Sequence, residues 1–285
     1  MFCRILLMQP LKPWPPEKAP MRAISLYAKP SPDFAQKRAR SLALLQSAAA
    51  TYSPLTQASS LGAEDMVVTH LMYEAGLLDN ASTSIFVLDT GMLHLETVAL
   101  IERIEARYPV KVDVYRPVEA AATAFVQTNG LEAMYQSLDL RKQCCHIRKM
   151  EPLERALAGK KGWLTGLRRE QSAARAEVHD IEQQPERAKI NPLADWTLGD
   201  VWHCISVNAI PYNPLHDEFF PSIGCAPCTR AVTLGEDFRS GRWWWENESA
   251  KECGLHVAAD GTHEAQEPAA FEPLSSRLPP RETTA

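Results

Sequence analysis

Cysteine is where this sequence concentrates its chemistry. Cys144 and Cys145 are adjacent in RKQCCHIRK, Cys225 and Cys228 form a Cys-Ala-Pro-Cys pair 80 residues beyond Cys145, and Cys253 stands alone in KECGLH. Neighbouring side chains diverge on a helix, so vicinal thiolates are awkward ligands for one tetrahedral zinc ion. A multi-iron centre relaxes that demand, because each thiolate can meet a different iron and four cysteines complete the ligand set of a [4Fe–4S] cluster. The plainer alternative is a buried Cys144–Cys145 pair beside a separate redox or zinc-binding Cys-x-x-Cys. Cys253 has no cysteine within 24 residues and is flanked by Lys251, Glu252 and His256. A thiol attacks as its thiolate, and nearby cations lower its pKa from ~8.5, which makes Cys253 a candidate nucleophile. An incidental surface cysteine is the competing reading. Cys204, inside the apolar VWHCISV, reads as core packing.

The cationic residues point to a small anion. Residues 141–175 hold ten Lys or Arg against three Glu, a local excess of seven on a chain whose net charge is −5. Arg168 and Arg169 in TGLRREQS and Arg239 and Arg242 in RSGRWWWE have the paired donor geometry that binds phosphate or sulfate oxygens, though solvated surface arginines are the ordinary case. SSLGAEDM (59–66) resembles a strand-to-helix turn whose glycine lets backbone N–H groups approach phosphate. It lacks the Gly-Lys-Ser/Thr ending of a Walker A loop, and Glu64 and Asp65 suit a helix N-terminus without any catalytic job. LDTG (88–91) follows a strand at the carboxyl edge, where open α/β sheets bind ligands.

These residues need a scaffold, and the pattern predicts one. Helices are expected over 32–52, from 62 through GAEDMVVTHLMYEAGLL, over 94–108, over VEAAATAFVQTNG, around CCHIRKMEPLERALAG and at LGDVWHCISVN. Strands are expected at 55–61, 83–89 and 110–117, with strand-like GWLTGL and AKINPL. Strands alternating with helices imply a doubly wound, mostly parallel α/β sheet flanked by helices. Residues 209–242, rich in Pro, Gly and aromatics, read as ordered loops of the kind that carry binding groups. The expected organisation is a disordered extension over 1–30, one α/β domain over 31–245, a mobile segment over 246–256 carrying Cys253, and a disordered tail over 257–285. Met21, after the proline-rich leader, is an alternative functional start.

Composition excludes several classes. No apolar run reaches the ~18 residues of a membrane span, and a net charge of −5 gives no whole-molecule attraction for nucleic acid or anionic membranes. Seven cysteines without a secretory signal fit a reducing, cytoplasmic compartment.

Taken together, the CC pair, LRREQS, INPLADWT, YNPLHD, GCAPCTR, GRWWWE and KECGLH resemble the assimilatory adenylylsulfate (APS) reductase family, related to phosphoadenylylsulfate (PAPS) reductases and the adenine nucleotide α-hydrolase-like fold. The similarity runs from about Leu55 to His256. It implies that Cys144, Cys145, Cys225 and Cys228 hold one [4Fe–4S] cluster and that Cys253 is the catalytic nucleophile. It further implies that Lys149 lies between cluster and substrate, that Arg239 and Arg242 face its sulfate and phosphate, and that Ser60, Gly62, Leu88 and Thr90 fall in nucleotide-contacting segments. One or both of Arg168 and Arg169 should touch the nucleotide, and His256 matches a histidine in the C-terminal segment. The implied reaction is reduction of adenosine 5′-phosphosulfate to sulfite and AMP by thioredoxin, in a cytoplasmic homo-oligomer. A PAPS or dual-specificity reductase is the nearest alternative, and a non-catalytic zinc-binding module the alternative from another class. The reading SSLGAED in place of SGGxDS departs from ATP-cleaving relatives and agrees with the reductase branch.

Overall fold

The computed structural model describes residues 22–246 except Asn80 and Leu234. Its elements run α1 (Ala23–Tyr27), α2 (Phe34–Thr51), β1 (Leu55–Ser59), α3 (Ala63–Glu74), β2 (Thr83–Leu88), α4 (Leu95–Arg107), β3 (Val112–Tyr115) and α5 (Glu119–Asn129). They continue with α6 (Leu138–Cys145), α7 (Glu151–Leu157), β4 (Gly162–Leu164), β5 (Ile181–Gln183), β6 (Ala188–Ile190) and α8 (Leu198–Val207). The strands form one sheet in the order β3-β2-β1-β4-β6-β5, parallel throughout except for the antiparallel β5–β6 pair at the edge. This is the doubly wound, mostly parallel sheet expected from the alternation of elements.

The burial of the central strands explains their composition. A parallel sheet is covered on both faces, so its strands are buried on alternate and intervening positions alike. Leu55, Thr56, Gln57 and Ser59 of β1 are all buried, and the buried polar side chains find partners: Gln57 Nε2 donates to Asp65 O at 2.8 Å and Thr69 Oγ1 donates to Gln57 Oε1 at 2.8 Å. Against the sheet, α4 buries Thr97, Leu100 and Ile104 at helical spacing and leaves Leu95 outside. At the start of α8 the Thr197 hydroxyl accepts from Asp200 N at 3.0 Å while Asp200 accepts from Thr197 N at 2.9 Å, a capping box that satisfies two otherwise orphaned donors.

Three local features differ from the sequence reading. The packed body begins before the boundary drawn at residue 31, since Ala23 of α1 is fully buried and its N–H donates to Asp217 at 2.7 Å. β5 has no counterpart among the expected strands: three residues at an exposed edge carry too little apolar text to announce one. The helix expected around Cys144 is broken into α6, a π-helical turn over His146–Met150, and α7. Such π turns add a residue to the helical ladder and re-aim the side chains beyond them. Cys253, His256 and the segments expected to be mobile or disordered over 246–256 and 257–285 lie, apart from Glu246, outside the described residues, as does most of the extension over 1–30.

Candidate active site

Strand order fixes where a ligand can enter. The chain leaves β1 toward β2 and β3 and returns to β4 on the other side, so the crevice beyond the carboxyl ends of β1 and β4 is the switch point of the sheet. A cavity of about 200 Å³ opens there, lined from β1 by Ala58 to Ser60, from β2 by Phe86 to Leu88, and beyond β4 by Thr165 to Leu167.

The turn from β1 to α3 is held by its own carboxylates. Ser60 N and Ser60 Oγ both donate to Asp65 Oδ2, at 2.6 and 2.7 Å. Gly166 packs against the same carboxylate: a Cβ there would stand 2.6 Å from Asp65 Oδ1, so only glycine fits. Leu61 is carried through a left-handed conformation, φ 63°, between them. Donors that meet phosphate in related turns are therefore spent on an internal anion. Burial pushes Asp65 up to about 6, against the pull of its Ser60 donors, with the Glu64 charge adding to the rise. Burial also acts to raise Glu64, but the Arg168 charge and the bonds from Gln171 and Arg168 outweigh it and hold that carboxyl below its usual range.

Cations and sulfurs meet at the far side of the cavity. Lys149 from the π turn, with Arg175, Arg239 and Arg242, lines it. Arg242 Nη1 donates to Ile223 O at 3.2 Å and its guanidinium lies 4.7 Å from the Trp243 ring; Gly224 leaves the room, since a Cβ there would fall 2.3 Å from that guanidinium. Behind this wall Cys144, Cys225 and Cys228 are buried in one apolar cluster with Phe125, Met134 and Trp243, and Cys145 packs against it. All four are free thiols. The Cys225–Cys228 loop is stitched to the end of β2: Ala226 N donates to Met92 O at 2.7 Å, and Thr90 Oγ1, on a cavity-lining residue, lies 3.2 Å from Cys225 Sγ. Arg148 Nη1 donates to Thr90 O at 2.7 Å. Burial, reinforced by the neighbouring Cys225, pushes the Cys228 thiol up to about 12, while Lys149 and Arg242 act against the rise. Burial likewise raises Cys144, opposed by Arg148.

Glu246 is fastened to this wall. Arg141 of α6 donates from Nε and Nη2 to the two oxygens of Glu246, at 2.9 and 2.8 Å, and lies 4.9 Å from the Trp243 ring.

Residues 54–231 match the phosphoadenosine phosphosulfate reductase domain. The chain belongs to that family. It is 49% identical over 229 residues to the adenosine 5′-phosphosulfate reductase of Burkholderia cepacia, covering 80% of this chain and 90% of the relative. Against the protein of the same name from Allochromatium vinosum it is 48% identical, covering 77% and 85%. The phosphoadenylyl-sulfate reductase of Candida auris, solved with phosphate, superposes with a TM-score of 0.56 at 25% identity, covering 72% of this chain and 98% of that one.

Within this reductase-family cavity, Ser60, Gly62, Leu88, Thr90, Lys149, Arg239 and Arg242 all line the wall. Arg168 and Arg169 do not. Arg168 is buried one layer behind, donating to Glu64 at 2.8 and 3.0 Å, while Arg169 turns outward to Asp195, Asp180 and the Val178 carbonyl. Arg175 and His216 line the cavity although neither stands out in the sequence. Arg175 is one cation among ten, and His216 sits in a loop, YNPLHD, whose chain path no periodicity reveals. Among the described residues no three His, Cys, Asp or Glu side chains converge on one metal ion, and no helix is long and apolar enough to cross a membrane.

Proposed function

We propose that this chain reduces adenosine 5′-phosphosulfate to sulfite and AMP, with thioredoxin as reductant and Cys253 as nucleophile. The observation that carries the reading is the meeting of Lys149, Arg239 and Arg242 at the switch-point cavity, beside four free thiols, in a chain whose relatives bear that activity in their names. The Cys253 thiolate attacks the sulfur of the substrate, the sulfur–oxygen bond of the anhydride breaks, and AMP departs as a stable phosphate. Cys253 is left as an S-sulfocysteine. A thioredoxin thiolate then attacks the Cys253 sulfur and sulfite leaves with the electron pair of the S–S bond; the second thioredoxin thiol closes the disulfide, completing a two-electron reduction. Lys149, Arg239 and Arg242 offset the repulsion between an anionic nucleophile and a polyanionic substrate.

The four thiols suit an iron–sulfur group. Two of them, Cys144 and Cys228, are buried thiols whose pKa burial raises; with no disulfide present, they become thiolates only beside strong positive charge, which bound iron provides. Cys144, Cys145, Cys225 and Cys228 would hold one [4Fe–4S] cluster. When bound, it would supply a fixed charge distribution beside Lys149 rather than electrons for the reduction. The working enzyme is a cytoplasmic homo-oligomer in this reading. An anaerobic sulfite-release assay with reduced thioredoxin, supplied with either nucleotide, tests it. Sulfite from the 5′-phosphosulfate in preference to its 3′-phosphorylated form is expected; release only from the latter would replace the substrate, and none from either would remove the function.

A further inference from the structure

One group of aromatic rings stands outside the cavity and partly open to solvent. Tyr135 and Trp244 are each 40% exposed, and with Trp245 they pack on one another: ring centroids lie 4.5 Å apart for Tyr135 and Trp245, 4.8 Å for Trp244 and Trp245, and 6.2 Å for Tyr135 and Trp244. Leu131 and Leu138, on either side of Tyr135 in the chain, are exposed as well. Tryptophan and tyrosine are the residues that most often dominate a protein–protein contact, because each brings a large apolar face with few rotatable bonds. The group is also fixed in place. Tyr135 Oη donates to Pro227 O at 2.6 Å, inside the Cys225–Cys228 loop, and Glu246, next in the chain after Trp245, is held by Arg141. A surface ordered before its partner arrives loses little entropy on docking.

Position in the chain says what the surface is for. Trp243 lines the cavity at 2% exposure, its neighbour Trp244 is open to solvent, and Cys253 is seven residues beyond Glu246. Seven residues reach at most about 25 Å. The nucleophile of the proposed reaction is therefore tethered to a fixed point that adjoins both the cavity wall and the ring group. Its sulfur has to meet two partners in turn, the nucleotide in the cavity and then the thiolate of a dithiol protein. A protein of even 100 residues, with a radius of gyration of about 13 Å, cannot enter a cavity of about 200 Å³. It has to attack the Cys253 sulfur from a seat on the surface within reach of the tether. The size of the ring group suits such a visitor better than a second copy of the chain. Obligate subunit contacts bury about 2,000 Å² or more, far beyond a few partly exposed side chains, whereas transient redox encounters fall below about 1,200 Å².

We propose that Tyr135, Trp244 and Trp245 form the docking surface for the dithiol reductant protein, seating it so that its reactive thiolate meets the sulfonated Cys253. The inference rests on the reading of Cys253 given above and adds to it the place where the reductant sits.

The test follows sulfite release at saturating adenosine 5′-phosphosulfate with thioredoxin varied, using the full chain as wild type, Trp244→Ala and Trp244→Phe. Val207→Ala, which trims an exposed apolar side chain at the end of α8, is the control. Trp244→Ala should lower kcat/KM for thioredoxin roughly 10-fold, Trp244→Phe should recover part of the loss, and Val207→Ala should change nothing. Two readouts on Trp244→Ala should stay at the wild-type value: the rate at which Cys253 gains a sulfonate group without thioredoxin, and the rate at which dithiothreitol then releases sulfite. An unchanged kcat/KM for thioredoxin in Trp244→Ala overturns the proposal. So does an equal slowing with dithiothreitol, which would mean that Trp244 positions Cys253 rather than the reductant, and so does a changed sedimentation coefficient, which would assign the rings to a contact between copies. A wild type that forms no Cys253 adduct would count against the proposed function itself, whereas normal adduct formation with no effect of Trp244→Ala on thioredoxin would count against the docking surface alone.

Discussion

Replacing Asp65 with asparagine should change how stability depends on pH, not simply how stable the protein is. Asp65 is 7% exposed, and its carboxyl is pushed up to about 6 from 3.8, with burial the largest cause. A shift of about 2 pKa units corresponds to roughly 3 kcal/mol between the two protonation states. Because the folded protein binds this proton more tightly than the unfolded chain, stability is fully present below about pH 4, falls as pH rises through about 6, and is level above that. The asparagine side chain has no proton to lose over this range. Its amide oxygen can still accept from Ser60, but its NH2 takes the place of the carboxylate oxygen packed against Gly166 and needs a new acceptor there, so the absolute stability carries an offset in the opposite direction. The pH slope is free of that offset. Urea midpoints of wild type and Asp65→Asn, measured side by side from about pH 5 to about pH 8, should show the variant gaining about 1 kcal/mol on the wild type between about pH 5 and about pH 7, then no further change. A difference constant across the range would mean that the Ser60 donors cancel the burial, and a gain for the wild type would mean that they exceed it.

Two further perturbations probe the wall behind the cavity. Arg141→Met leaves the Glu246 carboxylate buried without its bidentate partner, and should cost on the order of 3 kcal/mol in urea unfolding; a loss well under about 1 kcal/mol would show that Glu246 swings to solvent. Cys228→Ser should lose iron, visible colour and sulfite release together, while Cys204→Ala, at a thiol that burial pushes up to about 11 and that lies outside the sulfur group, keeps all three. Stoichiometric zinc in a colourless wild type would contradict the cluster assignment.

The contrast between Cys204 and the four paired cysteines shows what the sequence carries. Spacing alone separates a core thiol from the candidate ligands, because an apolar helix face and a Cys-x-x-Cys loop differ locally. The same holds for the sheet: β2 announces itself by the apolar run over 85–88, whereas the edge strand β5 buries little and leaves no signal. Arg168 and Arg169 mark the limit. They are neighbours of identical chemistry, and only the path of the chain beyond β4 turns one inward to Glu64 and the other outward to Asp195. Asp65 and His216 escape sequence reading for the same reason. The capping role of Asp65 is visible, but that it occupies the anion-receiving turn depends on Gly166, about a hundred residues away and on another strand's loop. His216 needs Phe220 to fix its tautomer and Trp202 to fix its plane.

The decisive measurement is peptide mass spectrometry of the full chain after anaerobic incubation with adenosine 5′-phosphosulfate and no thioredoxin. The peptide containing Cys253 should carry the added mass of one sulfonate group, and reduced thioredoxin should remove it as sulfite. An unmodified Cys253 peptide in a preparation that still releases sulfite once thioredoxin is added would contradict covalent capture at that sulfur.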